Sequence, residues 1–245
     1  MHLSGKGMKI IGSKKEIQPY LEKAIGADGQ NAFIAVLHSS ILKKKVRFPV
    51  LEYAAAWLYD TLPVRQHLSI TDQITGLKEI GSYILAGIML QKMLAKQYDK
   101  AIAKAVEYII AGNKWYVCDI IGERVMGYAL LTKPEQTLPV LRRLAKHDDK
   151  WIVRSVGVAG HYAIKKGLSK EYVQELFELL LSVSNTTDFH TKKGIGWAAK
   201  TTAKFHPDII AKYKNHIDTS AKQWFKTKVK TGLGRSEKYA HRYSS

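Results

Sequence analysis

The sequence has very little cysteine and no long run of apolar residues. Cys118 is the only cysteine among 245 residues, which excludes an internal disulfide framework and gives no indication of a structural metal site. The first residues, MHLSGKGMKIIGSKKE, lack the apolar core of a signal peptide, and no stretch approaches the roughly 18 apolar residues of a membrane span. We therefore expect a soluble, cytoplasmic protein without a membrane-inserted segment.

Acidic residues are also scarce. The chain has 21 Asp and Glu residues against 39 Lys and Arg residues, which gives a formal net charge of +18. An excess of this size creates a positive field that attracts polyanions and releases their counterions on binding, so nucleic acid is the favoured partner. The alternative is that the charge serves only solubility, although solubility usually needs a smaller charge of either sign.

Alternating β-strand patterns are absent, whereas apolar residues recur at helical spacing almost everywhere, which predicts an all-α fold. An apolar content of 46% is enough for a full hydrophobic core in one large domain or an elongated repeat array. The predicted helices span residues 14–25, 31–43, 48–60, 70–96 with a break near Gly81, 98–111, 114–131, 134–146, 150–165, 169–183, 189–206 and 207–216.

Tryptophans mark a repeat in the second half of the chain. Trp115, Trp151 and Trp197 each stand near the start or middle of a predicted helix that is followed by a second one, at separations of 36 and 46 residues. This interval suits two-helix repeats of the HEAT type, which stack into a solenoid with a concave face. We predict a HEAT-like α-solenoid with a concave basic face, in a single domain over residues 1–217. Residues 218–245 form a basic C-terminal tail, either a frayed terminus or an arm that touches nucleic acid.

A single acid in the stretch GNKWYVCDIIGERVMGYALL raises a question of function. On a helix, Trp115, Asp119 and Gly122 share one face, opposite the aliphatic face that packs in the core, and Gly122 leaves open space below the carboxylate. The alternative for Asp119 is a solvated helix acid that is stabilised slightly by the N-terminal dipole.

Two further helices carry a polar face of the same kind. In DDKWIVRSVGVAGHYAIKKG, Trp151 and Arg154 share a face, and in DFHTKKGIGWAAKTTAKFHPD a tryptophan is flanked by lysines. The residues of this second face are Lys193, Gly196, Trp197, Lys200 and Lys204. We expect these lysines to face solvent and to bind DNA phosphates. The alternative is that Trp197 is a core residue with lysines snorkelling around it.

The motifs WYVCD, WIVR and KGIGWAAK followed by FHPDII, taken together, resemble the bacterial DNA alkylation repair family of HEAT-like-repeat glycosylases, the AlkD-like proteins. The resemblance covers residues 112–217. It implies an α-solenoid that holds damaged duplex DNA in a basic groove and removes N3- or N7-alkylated purines, as a monomer without metal or organic cofactor.

The resemblance also implies roles for single residues. Asp119 is the expected catalytic carboxylate, Trp115 and Trp197 are the indoles expected to frame the sugar of the lesion, and Arg154 is an expected phosphate contact. Lys200 stands where the family often has arginine, which keeps the charge but loses the bidentate geometry.

The chemistry of this reaction would explain an acid in so basic a chain. An alkylated purine is cationic and leaves as a neutral base, so what needs stabilising is positive charge on the sugar, which a fixed carboxylate opposes. Two alternatives stay open at this point. One is a non-catalytic member of the same family that binds distorted or branched DNA, and the other is a HEAT-type adaptor that binds acidic proteins.

Overall fold

The computed structural model describes residues 10–241, with side chains up to Lys238. Within this range the chain is helical, and the only β-type pairing is a single bridge between Ile11 and Val46. None of its helices is long and apolar enough to cross a membrane. The all-α class predicted from the sequence is confirmed.

The chain divides into two compact units, residues up to Tyr98 and residues from Asp99 onward. The helices of the first unit are α1 (Lys14–Ile25), α2 (Gly29–Leu37), α3 (Phe48–Thr61), α4 (His67–Gly76) and α5 (Ile80–Met93), with a π-helical turn, His38–Leu42, and a 3-10 turn, Val64–Gln66. Those of the second are α6 (Tyr98–Gly112), α7 (Trp115–Ile121), α8 (Tyr128–Thr132), α9 (Pro134–Leu144), α10 (Lys150–Lys165), α11 (Lys170–Ser182), α12 (Phe189–Phe205), α13 (Pro207–Lys212), α14 (Lys214–Ser220) and α15 (Gln223–His241).

The helix predicted over residues 70–96 is two helices in the structure. The predicted break near Gly81 falls in the turn between α4 and α5, just before Gly81, which is itself helical and packs against Leu42 and Leu51. In that turn Lys78 has φ 56°, the left-handed conformation that ends a helix. Because lysine seldom adopts this conformation, the sequence does not single out Lys78 as the residue at the break.

The second unit is a stack of helix pairs. The layer that carries the three tryptophan motifs consists of α7, α10 and α12, with α15 packed on α12, while α9 and α11 contact each other in the second layer. Trp115 begins α7, Trp151 lies in the first turn of α10, and Trp197 lies in the middle of α12. The predicted α-solenoid of two-helix repeats is therefore confirmed, with one motif on each of three neighbouring helices.

Local chemistry fixes where the helices of this layer begin. The Asp149 side chain accepts from the backbone N–H of Trp151 at 2.7 Å, and the Asp188 side chain accepts from that of Thr191 at 2.7 Å. These N-caps satisfy backbone donors that have no partner within the helix. They set the register of α10 and α12 close to the candidate functional residues.

The helix that starts at Trp115 does not continue with regular geometry. A π-helical segment, Gly122–Gly127, joins α7 to α8 directly after the turn that carries Asp119. One extra residue in a turn rotates later side chains by about 100° from the positions of a regular helical wheel. Gly122 also differs from the prediction, because the space beside it is filled: a Cβ there would lie 3.1 Å from Cγ1 of Val158 on α10.

The backbones of α10 and α12 touch at a pair of glycines. A Cβ on Gly157 would lie 2.2 Å from the carbonyl carbon of Gly194, and a Cβ on Gly194 would lie 2.4 Å from the carbonyl oxygen of Arg154. Only glycine permits so close an approach. The contact places the side chain of Arg154 directly against α12.

The predicted C-terminal tail, residues 218–245, is not a separate segment in the part that the structure describes. Most of it forms α15, in which Phe225, Val229 and Gly232 are buried. These residues are spaced as i, i+4 and i+7, which makes a narrow helical stripe. Because the stripe is narrow and ends in a glycine among many lysines, it does not stand out in the sequence. Residues 242–245 of the predicted tail lie outside the described range.

Candidate active site

The centre of the candidate site is an ion pair that joins α7 to α10. Arg154 donates from Nε to Oδ1 of Asp119 at 2.8 Å and from Nη2 to Oδ2 at 2.8 Å, so the two planar groups meet in a bidentate pair. The third nitrogen, Nη1, donates to the backbone carbonyl of His190 on α12 at 3.1 Å. Three successive helices of the layer are thus joined by one guanidinium.

The pair is largely shielded from water. The Arg154 side chain is 8% exposed and that of Asp119 is 17% exposed. Burial acts to lower the pKa of the Arg154 guanidinium, but the hydrogen bonds to Asp119 and its negative charge outweigh burial and raise the pKa. The structure therefore gives Arg154 an internal role as the partner of Asp119, and its predicted contact with a DNA phosphate stays a prediction.

Trp151 packs next to His190, whose carbonyl accepts from Arg154, and it is not a surface indole. It is buried, its Nε1 donates to Oδ1 of Asn113 at 2.7 Å, and its ring lies 4.3 Å from the ring of His190. Cys118 donates from Sγ to the Trp151 carbonyl at 3.1 Å, and burial raises the pKa of this thiol far above its usual range. Cys118 is thus a packing residue and not a nucleophile at neutral pH.

Trp115 is the exposed indole of the site. It begins α7, one helical turn before Asp119, and 56% of its surface is accessible. Residues four positions apart on a helix are neighbours on one face, so the exposed indole and the carboxylate share one face of α7. A large exposed aromatic near a shielded ion pair is suited to contact a ligand, and the role of Trp115 at the sugar of a lesion stays a prediction.

Trp197 is partly exposed and is held by two polar neighbours that the sequence analysis missed. Its ring stacks on the ring of His161 at a centroid distance of 3.9 Å and an angle of 22°. The Thr201 hydroxyl donates to the Trp197 carbonyl at 2.8 Å and lies 2.7 Å from Nδ1 of His161. Because that hydroxyl has one proton, it must accept from Nδ1–H, which fixes the tautomer of His161.

The charge of His161 follows from its surroundings. Burial, with a contribution from the positive charges of Lys165 and Lys200, lowers the pKa of the imidazole to about 4. His161 is therefore neutral at pH 7 and forms an uncharged platform for the indole. A spacing of 36 residues between His161 and Trp197, about one repeat, was the only sign of this contact in the sequence.

The predicted lysine face is less uniform than the helical wheel indicated. Lys193 is exposed and lies 5.1 Å over the ring of Phe189, while Lys204 is half-buried and lies 4.6 Å over the ring of Phe205. Lys200 is also half-buried. Gly196 is not open, because the side chain of Lys228 on α15 covers it. A role for these three lysines in binding DNA stays a prediction.

The structure thus brings some of the predicted residues together and separates others. Asp119 and Arg154 are in direct contact and Trp115 lies one helical turn before Asp119 on α7, whereas Trp197 contacts His161 and Thr201. In residues 10–241 no three His, Cys, Asp or Glu side chains are grouped in a way that could hold a metal ion.

A helical-repeat protein with a carboxylate held by an arginine of the neighbouring helix in the same layer, in a basic chain, belongs to the class of α-solenoids that have a polar site on one layer. The family follows from comparison with known proteins. The protein-family model described as DNA alkylation repair enzyme matches residues 46–232, which is well over half of the chain. The protein belongs to this family of DNA alkylation repair enzymes, as the three motifs predicted.

Two other comparisons add little. No curated protein matches the sequence. Among solved structures, a designed armadillo repeat protein, YIII(Dq.V1)4CPAF in complex with the peptide (KR)4, matches with 15% sequence identity and a TM-score of 0.40, and covers 91% of this chain and 94% of its own.

Proposed function

We propose that this protein is a monofunctional DNA glycosylase that acts as a monomer and hydrolyses the N-glycosidic bond of cationic N3- or N7-alkylated purines in duplex DNA. Within the family of DNA alkylation repair enzymes, the observation that supports this activity is the carboxylate of Asp119. It is held in one orientation by Arg154 and bordered by the exposed indole of Trp115.

The carboxylate suits the charge that develops in this reaction. A cationic purine leaves as a neutral base, so the reaction needs little acid catalysis, while positive charge grows on the sugar. Arg154 occupies two of the roughly four lone-pair positions of Asp119, which leaves the others to face the sugar and to orient a water molecule. Because the carboxylate is already fixed, it does not have to reorganise during the reaction.

The indoles complete the environment of the sugar in this proposal. The π-face of an indole attracts a cationic centre by about 0.5–2 kcal/mol. Trp115 is exposed and Trp197 is partly so, with one ring face covered by His161, so each offers a surface and not an enclosing pocket. Selectivity would then come from the weakened glycosidic bond of a cationic base, and neutral lesions such as uracil would remain in the DNA.

The experiment is base release from duplex oligonucleotides that contain 7-methylguanine or uracil, under single-turnover conditions. Wild-type protein should release 7-methylguanine and leave uracil. Asp119→Asn should bind the duplex but release 7-methylguanine about 10²–10³-fold more slowly, the usual loss when one fixed electrostatic group is removed. Asp148→Asn removes the same charge from an exposed position and should retain the wild-type rate. Uracil release, or equal rates for both variants, would overturn the proposal.

A non-catalytic DNA-binding role is the second candidate, and one observation favours it. Both oxygens of Asp119 accept from Arg154, so its negative charge is already largely balanced within the protein. A protein of this kind would bind the methylated duplex and release no base. The same oligonucleotides separate the two candidates when binding of the methylated duplex is measured beside base release, because only the second candidate binds without releasing a base.

A further inference from the structure

The last helix, α15, contributes to the same surface as α12. A Cβ on Gly232 would lie 2.4 Å from the carbonyl oxygen of Lys200, and a Cβ on Gly196 would lie 2.8 Å from Cγ of Lys228. Each helix therefore contributes a glycine to the contact, Gly196 from α12 and Gly232 from α15. The contact lays the side chain of Lys228 over Gly196 of α12, about one turn before Lys200.

Three cations meet at this crossing. Lys228 and Arg235 are seven residues apart on α15, which places them about two turns apart on one face. Burial lowers the pKa of Lys200, and the positive charges of Arg235 and then Lys228 lower it further. The positive charges of Lys228 and Arg235 on α15 thus act on Lys200 across the contact between the two helices.

No acid relieves this repulsion within the part of the chain that the structure describes. Surface lysines elsewhere in the second unit do have acidic partners, as in the pairs of Lys170 with Asp208 and Lys214 with Asp218. None of Lys200, Lys228 and Arg235 forms an ion pair among residues 10–241. Like charges that are held together without a counter-charge make a site that an anion stabilises.

We propose that Lys200, Lys228 and Arg235 form a binding site for a phosphodiester group of the DNA backbone, so that α15 is part of the DNA-binding surface. The inference rests on duplex DNA being the ligand in the proposed function. Lys200 lies three residues after Trp197 on α12, and Lys228 covers the glycine that precedes this indole. The phosphate bound here is therefore one close to the nucleotide that Trp197 contacts.

This site makes a different contribution from that of Asp119. Contacts with phosphates position the duplex and supply affinity, but they carry no information about the base. Loss of the site should weaken binding of damaged and undamaged duplex alike. It should leave the rate of base release unchanged once the protein is saturated with DNA.

The test compares two double variants of α15 that remove the same number of charges. Lys228→Gln with Arg235→Gln removes two of the three proposed ligands. The matched control, Lys222→Gln with Lys230→Gln, removes two exposed charges near or on the same helix, about 120° and 160° around it from Lys228. Binding of an undamaged, fluorescently labelled duplex is measured by anisotropy over a range of KCl concentrations, after circular dichroism has shown that both variants are folded.

We expect the first variant to lose about tenfold in affinity near 0.1 M KCl. Because each phosphate contact contributes about 0.9 to the slope of log K against log salt, its slope should be smaller by about 1–2. The control should stay within about threefold of wild type. A charge-preserving variant, Lys228→Arg with Arg235→Lys, should bind as wild type does. Equal losses in the test and control variants, or no loss in either, would overturn the site.

Failure of this inference is distinguishable from failure of the proposed function. If wild-type protein releases no alkylated base, the glycosylase proposal fails, but the comparison of the two double variants on undamaged duplex still decides the phosphate site. If base release occurs, the first variant should reach the wild-type single-turnover rate at a higher protein concentration. A lower rate at saturation would contradict a role limited to phosphate binding.

Discussion

Replacing Arg154 with methionine tests whether the ion pair with Asp119 holds the candidate site together. Methionine keeps an unbranched side chain against Gly194, where Cγ of Arg154 approaches closely, but it removes all three hydrogen bonds of the guanidinium. Asp119 is then left as a shielded carboxylate without a partner. The quantity to measure is the free energy of unfolding in urea, followed by circular dichroism.

The expected magnitude follows from the burial of the two groups. Breaking a fully buried ion pair by removal of one partner costs about 3–5 kcal/mol. The Asp119 side chain is 17% exposed and can recover part of its hydration, so we expect a loss of about 2–4 kcal/mol. The control is Arg142→Met, which breaks a pair with Glu175 of nearly the same length, 2.9 Å, between side chains that are 51% and 45% exposed. That loss should be about 0–1 kcal/mol.

A double-mutant cycle isolates the pair from other effects of the substitutions. In Arg154→Met with Asp119→Leu, both charges are gone and no unpaired carboxylate remains. The double variant should therefore be more stable than Arg154→Met alone, with a coupling energy of about 2–3 kcal/mol between the two sites. A loss below 1 kcal/mol for Arg154→Met, or a coupling energy near zero, would refute the view that Arg154 acts mainly through Asp119.

Two further predictions concern the neighbouring contacts. Gly157→Ala should lower the free energy of unfolding in urea by about 3 kcal/mol or more. The new Cβ would lie 2.2 Å from the backbone of Gly194, so α10 would have to move away from α12. A loss below 1 kcal/mol would contradict the close approach of the two helices. His161 has a folded pKa of about 4 against an ordinary 6.5, so the unfolded chain binds more protons between these pH values and stability falls as the pH is lowered through this window. The side chain introduced by His161→Phe cannot titrate. The free energy of unfolding of this variant should therefore fall by about 1–2 kcal/mol less than that of wild type between pH 7.5 and pH 4.5, after allowance for solvent screening. Equal falls would show that His161 is not the titrating group.

Much of the fold was predictable because its elements are set by local patterns. Helix boundaries followed from apolar periodicity and from residues such as Pro134 and Pro207, which stand at the first helical positions of α9 and α13. The spacing of the tryptophans identified neighbouring helices of one layer. Local patterns failed where geometry departed from the regular helix, at the left-handed Lys78 and at the π-helical segment after Ile121.

The candidate site was predictable as a set of residues but not as a set of contacts. The motifs identified Asp119 and Arg154, and the family resemblance assigned one to the sugar and the other to a phosphate, whereas the structure pairs the two with each other. Their pairing depends on the distance between α7 and α10, and on the closeness of α10 and α12 at Gly157. Such distances depend on the packing between helices and cannot be predicted from the apolar periodicity of a single helix.

The pairing also bears on why an acid can persist at this place in a chain of net charge +18. A solvent-exposed carboxylate would form salt bridges with the nearest lysines, and such exposed salt bridges contribute little stability and do not fix the carboxylate in one orientation. Arg154 removes that freedom because its planar fork engages both oxygens, which a lysine could not do. The two residues lie 35 positions apart, close to one repeat, so the stacking of α7 on α10 brings them face to face. The motifs WYVCD and WIVR are therefore two halves of one structural unit, and a change in either half should alter the position of the carboxylate as well as its charge.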